Sequence, residues 1–179
     1  MEPVIAIVAA ELAFAEATLT RLTGDDVDAF ARAADAAERI GDRVRTVAPA
    51  LLELPGCGEL TAAKLVAETA GVHRFKSEAA FARHSGAAPV PVWSGNTAGR
   101  VRLTRSGNRQ LNAALHRIAI TQIRLTTSAG HAYYRKRLAN GNSKTEALRC
   151  LKRRLARVVY QRLRTDNLTQ HQDHQPAAA

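Results

Sequence analysis

Apolar residues recur at steps of three and four along most of the chain, which is the spacing of one face of an α-helix. This pattern predicts a helix over residues 2–22 and a second helix over 25–47, with a short turn between them. Both segments are rich in alanine, so we expect residues 1–48 to form a helical hairpin or coiled-coil arm. An equally supported alternative is that the two helices pack on the main body. The apolar positions of the first helix are Ile5, Val8, Leu12, Ala15 and Leu19.

A short helix, a tight turn at residues 55–58 and a second helix follow the arm. Gly56 and Gly58 permit backbone conformations that other residues avoid, and amides at the start of a helix favour a phosphate oxygen. This is the helix-hairpin-helix pattern, and we expect Gly56, Gly58 and Lys64 to contact a nucleic-acid backbone. The alternative is a plain packing corner, because Glu59 beside the turn would weaken phosphate binding.

Four further helices are predicted after residue 76. Ser77 can cap the first and a Ser143–Glu146 capping box opens the last, while Gly130 is expected to end the second. Residues 165–179 are rich in Gln, His and Ala and are predicted to be a disordered tail. The helices cover Ser77 to His84, Asn108 to about Thr127, a segment ending at Asn140, and Ser143 to Arg164.

Helical periodicity is lost between the first two of these helices, near residues 88–106. Two β-prone pieces there, Val90–Trp93 and Arg100–Thr104, predict a short irregular or β-hairpin insert. The predicted fold is therefore mainly α, with the arm followed by a helix-hairpin-helix-containing helical domain over 49–164 and the tail after it.

Charge divides the chain sharply. The net charge is +10, but residues 1–62 carry −6 and residues 63–164 carry +18. From Ala79 to Thr145 there is no Asp or Glu, while eleven residues are Lys or Arg. A segment with one sign of charge over this length points to a polyanionic partner, so DNA or RNA is expected.

The missing acids also limit the chemistry of this segment. Metal-dependent phosphoryl transfer needs carboxylates to hold Mg²⁺, and the segment has none, so a hydroxyl nucleophile among arginines is the available route. Ser94, followed by Gly95, is the first candidate and Ser106 the second, although Ser106 stands where a helix cap is expected. On spacing alone the signal at Ser94 is weak. The arginines expected to contact nucleic acid are Arg100, Arg102, Arg105, Arg109, Arg117, Arg149, Arg153 and Arg157.

Several other classes of protein are disfavoured. Cys57 and Cys150 lack the spacing of a metal site or a disulfide. No apolar run approaches the ~20 residues of a membrane-spanning helix, and no signal peptide is recognisable. These observations predict a soluble, cytoplasmic protein without a metal site in this chain.

Four ordered motifs resemble one known family. They are Leu-Pro-Gly-Cys-Gly at 54–58, Phe-Ala-Arg-His-Ser-Gly-Ala-Ala-Pro at 81–89, Val-Trp-Ser-Gly at 92–95, and Arg-Leu-Thr-Arg-Ser-Gly-Asn-Arg-Gln-Leu-Asn-Ala-Ala-Leu-His at 102–116. Their order is similar to the C-terminal transposase domain of the IS-one-ten family of insertion-sequence transposases. The resemblance covers roughly residues 51 to 164 and makes Ser94 the preferred nucleophile.

The resemblance implies an RNA-guided serine recombinase acting in DNA transposition, in which Ser94 would form a phosphoserine link to DNA. Family members pair this domain with an N-terminal RuvC-like nuclease domain whose Asp and Glu residues hold Mg²⁺, and a coiled coil joins the two. The implied partners are DNA, a guide RNA and a second copy bound through the helical arm, in a bacterial, nucleoid-associated setting.

We expect this chain to depart from the family by lacking the RuvC-like domain. We therefore expect a truncated or split transposase that is inactive alone. The alternative is a non-catalytic helix-hairpin-helix module that binds nucleic acid, and a third possibility is an RNA-binding structural protein.

Overall fold

The computed structural model describes residues 2–20, 27–91, 101–103 and 107–173. The prediction of a mainly α fold is confirmed, because eight α-helices and one two-stranded ladder account for most of the described residues. The elements in chain order are α1 Glu2–Thr20, α2 Val27–Val47, α3 Pro49–Leu52, α4 Glu59–Thr69, a 3₁₀ turn at Val72–Arg74, α5 Glu78–His84, β1 Pro89–Pro91, β2 Val101–Leu103, α6 Arg109–Arg124, α7 Ala129–Ala139 and α8 Lys144–Asp173.

The chain forms two compact units, and the first comprises residues 1–72 and 162–179. In this unit α1, α2 and α4 pack against one another. Such packing was expected from the alternative to a separate arm, in which the first two helices pack on the main body. The predicted boundary at residues 48 and 49 lies inside the unit. Its core is built largely from small or branched apolar side chains. The fully buried ones include Val8, Ala36, Ile40, Val44, Leu51 and Leu65.

The second unit comprises residues 73–161 and is centred on larger side chains. The rings of Phe75 and Phe81 meet edge to face with 5.3 Å between centroids. The Tyr160 hydroxyl donates to the Phe75 carbonyl at 3.2 Å, which satisfies a polar group inside this core. Buried residues from α6 and α8 complete the core: Leu111, Leu115, Ile118, Leu151, Leu155 and Val159.

Gly130 does not end a helix, contrary to the prediction. Helix α6 ends at Arg124, and Ser128 caps α7 by accepting a hydrogen bond from the His131 amide at 3.0 Å. Gly130 lies in the first turn of α7, where a Cβ atom would overlap the side chain of Gln122. The glycine therefore permits a close approach to α6.

The last helix also differs from its prediction, since α8 continues past Arg164 to Asp173. Asp166 explains the extension of order into the predicted tail. Its side chain is buried in the first unit, and its Oδ1 accepts a hydrogen bond from the Ala50 amide at 3.0 Å. Arg162, one turn earlier, donates to the Ala50 carbonyl at 3.0 Å. The two residues thus bind the amide and the carbonyl of the same residue, Ala50, in α3.

Candidate nucleic-acid interface

The candidate nucleophiles, Ser94 and Ser106, and two of the predicted arginines, Arg100 and Arg105, lie outside the described residues. The structure does describe the backbone on both sides of Ser94. Strands β1 and β2 pair antiparallel, with Val90 opposite Arg102. The ladder brings the two ends of segment 92–100 together, within the region where the sequence predicts an insert.

Gly107 and Asn108 make a second closure just beyond this ladder. The Asn108 amide donates to the His84 carbonyl at 2.6 Å, which joins the start of α6 to the end of α5. Gly107 packs directly on the backbone of Gly86, whose φ is +65°. A Cβ atom on Gly107 would collide with that backbone, so only glycine fits. The two ends of segment 85–108 are therefore in contact, through Asn108 with His84 and Gly107 with Gly86.

Asn108 is also the cap of α6. Its Oδ1 accepts from the amides of Gln110 and Leu111, each at 2.9 Å. The sequence analysis placed Ser106 at the expected cap, and the structure gives that role to Asn108. Capping of α6, the role that counted against Ser106 as a nucleophile, is therefore filled by Asn108.

Asn112 and Lys152 join the same region and were missed by the sequence analysis. The Asn112 Nδ2 donates to the Ser85 carbonyl at 2.9 Å, and its Oδ1 accepts from the Lys152 ammonium. Burial lowers the pKa of Lys152. Asn112 belongs to the Arg-Gln-Leu-Asn run at 109–112, so its motif was recognised although its role was not.

The hairpin at residues 55–58 lies in the first unit. Gly56 has φ +84°, and Gly58 caps α4 with nothing within 4 Å of where a Cβ would stand. Burial raises the pKa of the Cys57 thiol to about 12, so this cysteine is unreactive at neutral pH. The space beside Gly58 at the start of α4 is therefore empty, and a phosphate bound at this helix end needs such space.

The charges around this hairpin are already paired, however. Lys64, predicted to bind nucleic acid, is buried and forms an ion pair with Glu16 of α1. Glu59 in the first turn of α4 pairs with Arg45 of α2. Both cations thus face carboxylates of their own unit.

The predicted arginines of the second unit differ in exposure. Arg109, Arg117 and Arg149 are exposed, while Arg153 is half-buried. Arg157 is exposed and forms an ion pair with Glu78, with 2.8 Å between Nε and Oε1. Arg109 and Arg117 therefore reach solvent with no ion pair to a described residue, while Arg149 interacts electrostatically with Glu146.

Charge follows the division into units closely. Residues 73–161 contain eighteen Lys and Arg against two acids, Glu78 and Glu146, a net charge of +16. The remainder of the chain contains eight Lys and Arg against fourteen acids, a net charge of −6. Glu146 accepts hydrogen bonds from the amide and hydroxyl of Ser143, both at 2.8 Å, which confirms the predicted capping box and lowers the pKa of Glu146.

Helices α7 and α8 add two arginines to the predicted set, Arg137 and Arg154, and show the surroundings of the predicted Arg153. The Arg154 guanidinium lies over the Tyr133 ring, 4.9 Å from its centroid. Arg137 Nε and Arg153 Nη1 are buried and form no hydrogen bond with the described residues. Residues 135–137 form a run of basic residues, but the relation of Arg137 to α8 depends on the fold.

Within the described residues, no group of three His, Cys, Asp or Glu side chains could hold a metal ion, and no helix is long and apolar enough to cross a membrane.

Comparison with known proteins places these features in a family. A profile described as the transposase IS116/IS110/IS902 family matches residues 48–135. An uncharacterized 42 kDa protein of insertion element IS900 from Mycobacterium paratuberculosis is 33% identical over 130 residues, which cover 72% of this chain and 32% of the relative. An uncharacterized 43.6 kDa protein of insertion element IS110 from Streptomyces coelicolor is 32% identical over 118 residues, covering 66% of this chain and 29% of the relative.

A third relative, an uncharacterized 44.8 kDa protein of insertion element IS116 from Streptomyces clavuligerus, is 30% identical over 140 residues, with 73% of this chain and 35% of the relative covered. The chain thus spans about a third of the length of these relatives. The profile match contains the hairpin, the tied segment and α6, which carry the four motifs. The chain therefore belongs to the IS116/IS110/IS902 family of transposases, as its motifs predicted.

Proposed function

We propose that this chain is the DNA-binding, serine-bearing part of a transposase, and that residues 73–161 hold the DNA. The observation that carries the proposal is the +16 charge of this unit. Its two acids are both engaged locally, Glu78 with Arg157 and Glu146 with Ser143. The exposed arginines are therefore available to neutralise backbone phosphates.

The proposed nucleophile is Ser94. Its Oγ would attack a DNA phosphorus, forming an Oγ–P bond as the bond from phosphorus to one deoxyribose oxygen breaks. The serine proton passes to a base and the leaving oxygen takes up a proton, so the step balances without an oxidant or reductant. Arginine forks suit the charge that develops on the phosphoryl oxygens. The ladder and the Gly107 closure support this role, because they tie down the ends of the segment that carries Ser94.

Covalent capture tests the nucleophile. The chain would be combined with the remaining region of a full-length relative and with DNA carrying the element end, and protein–DNA adducts would be resolved on denaturing gels. We expect adducts with the native chain and none with Ser94→Ala, while Ser106→Ala retains them. Adducts that survive Ser94→Ala and disappear with Ser106→Ala would assign the role to Ser106.

We also propose that the part of the relatives' length outside the matched region supplies the other half of the chemistry, including any Mg²⁺ site, and that a guide RNA takes part. The chain alone is then inactive in strand exchange. Adding the unmatched region of a full-length relative as a separate chain should restore strand exchange. Strand exchange by this chain alone would refute the proposal that two regions share the chemistry.

Self-association through the arm is a further proposal. Helix α1 buries Val8 and Leu12 within its unit, yet Ile7 on another face is 41% exposed. A helix that is apolar on several faces favours a second packing partner, and we propose another copy of the chain. Light scattering should show a dimer that Ile7→Lys converts to a monomer, and a native monomer at high concentration would exclude it.

The alternative function is a non-catalytic nucleic-acid-binding module that uses the 55–58 hairpin. The open space at Gly58 favours it. The two functions predict different effects of Gly58→Val, which closes the start of α4. Binding by the hairpin would be lost, whereas binding by residues 73–161 would be unchanged.

A further inference from the structure

Helices α7 and α8 meet at a group of cationic and aromatic side chains. Arg154 of α8 stacks on Tyr133 of α7 at 4.9 Å. Arg137 lies one turn after Tyr133 on α7, and Arg153 directly precedes Arg154 on α8. All four residues belong to the second unit. We call them the α7–α8 arginine cluster.

Two of these arginines lower the stability of the folded chain when no ligand is bound. Arg137 Nε and Arg153 Nη1 are buried without a hydrogen-bond partner among the described residues. Leaving a buried donor on a charged group unsatisfied destabilises the folded state. The unit has only two carboxylates, and these bind Arg157 and Ser143. Packing alone gives no reason to bury two such donors in one unit.

An anionic ligand would supply the missing acceptors. We propose that the α7–α8 arginine cluster binds the phosphodiester backbone, with Arg137 and Arg153 each donating to a phosphate oxygen and Arg154 held in a fixed plane by its stacking on Tyr133. This rests on the proposed function, since the phosphate belongs to the bound nucleic acid. Both donors sit on half-buried side chains, so part of each stays accessible and rotation of the side chain brings the buried N–H to the phosphate.

Arginine is the residue that such a site requires. Its planar fork binds two phosphate oxygens at once, and stacking on an aromatic ring fixes the plane of Arg154 while its edge remains free to donate. A lysine carries the same charge without the fork. The cluster therefore differs from a diffuse positive surface in a way that can be measured.

The proposal predicts opposite effects on stability and on binding. Replacing Arg137 or Arg153 by Met removes an unsatisfied buried donor, so the thermal midpoint of the free chain should stay the same or rise. The same substitution removes a contact to phosphate, so nucleic-acid affinity should fall about tenfold. A merely structural residue would lose stability and binding together.

The test uses the full chain with two labelled probes, a DNA duplex and an RNA hairpin, in fluorescence anisotropy over a range of salt. Arg137→Met and Arg153→Met are compared with Arg164→Met, which removes the same charge from an exposed position of α8 that belongs to the first unit. We expect the two cluster variants to lose about one unit of the slope of log K against log salt. The control should stay within about twofold of the native affinity. The probe more affected by the cluster variants identifies the phosphate source.

Cys150 gives a local readout of the same site. It is half-buried on α8, one turn before Arg153 and Arg154, whereas the pKa of about 12 keeps Cys57 unreactive. Bound nucleic acid should slow alkylation of Cys150 several-fold, and Arg153→Met should reduce this protection. Unchanged alkylation under saturating nucleic acid would place the bound backbone elsewhere and overturn the assignment.

Arg153→Lys separates a built site from general charge. We expect it to bind about as weakly as Arg153→Met, and native affinity in this variant would overturn the proposal. A large fall in the thermal midpoint of either Met variant would also overturn it, because the buried donors would then be satisfied. If the native chain binds neither probe, the proposed function itself fails. If it binds with steep salt dependence while the cluster variants match Arg164→Met, only the cluster fails.

Discussion

At the scale of single residues, Gly107 and Asn108 show how a motif can be recognised before its role is understood. The sequence singled out Ser106-Gly107-Asn108 as a possible site of chemistry. In the structure Gly107 permits contact with Gly86, and Asn108 caps α6 while binding the His84 carbonyl. Capping could be predicted from residue type, but the contact with Gly86 joins positions more than twenty residues apart and depends on the fold.

Gly107→Ala tests this contact. The added methyl group would meet the backbone of Gly86, which cannot move aside as a flexible side chain can. We expect a loss of about 2 kcal/mol or more in the free energy of unfolding. Gly58→Ala is the matched control, with open space at its Cβ and an expected cost of about 0.5–1 kcal/mol. Equal costs in urea unfolding would contradict the close packing.

Asp166 provides a prediction on pH. Burial raises its pKa above the ordinary 3.8, against the opposing effects of the Ala50 amide and Arg162. The folded chain then holds this proton more tightly than the unfolded chain, so stability falls as pH rises from the ordinary pKa through the raised one. Asp166→Asn should remove this fall and still accept from Ala50. The free energy of unfolding of the native chain and of Asp166→Asn would be measured from about pH 4 to about pH 7. If both change with pH in the same way, the raised pKa of Asp166 is refuted.

At the scale of elements, local signals predicted where most helices begin. Ser77 caps α5 by accepting from the Ala80 amide at 3.2 Å, and Ser143 with Glu146 opens α8. The ends were less predictable. Helix α8 extends to Asp173 because Asp166 and Arg162 bind α3, a contact over more than one hundred residues of sequence that composition does not reveal.

Truncation distinguishes a helix that packs from a tail that does not. A chain ending at Arg164 lacks Asp166, so we expect its unfolding free energy to fall by about 2 kcal/mol. A chain ending at Thr169 retains the contact with Ala50 and should keep nearly native stability. Identical denaturant midpoints for the two truncated chains would show that Asp166 does not hold α3.

At the scale of the whole molecule, the sequence revealed the charge asymmetry but not its boundary. The predicted division at residues 48 and 49 separated an arm from a basic domain, whereas the structure groups the arm with the hairpin and the end of α8. This grouping depends on contacts such as the ion pair of Lys64 with Glu16. The same ion pair engages the ammonium group that was predicted to bind a phosphate. The candidate site could be predicted as a basic surface with Ser94. The stacked and unsatisfied arginines of α7 and α8 required the fold.

The central claim is that the unit of residues 73–161 holds nucleic acid, and the salt dependence of DNA binding tests it most directly. The triple change of Arg109, Arg117 and Arg149 to Gln would be compared with the same change at Arg32, Arg39 and Arg45, which removes equal charge from the first unit. The native chain should show a steep fall of log K with log salt. The first variant should lose about 2 to 3 units of that slope, and the second should keep it. Binding without salt dependence, or equal weakening by both variants, would contradict the account.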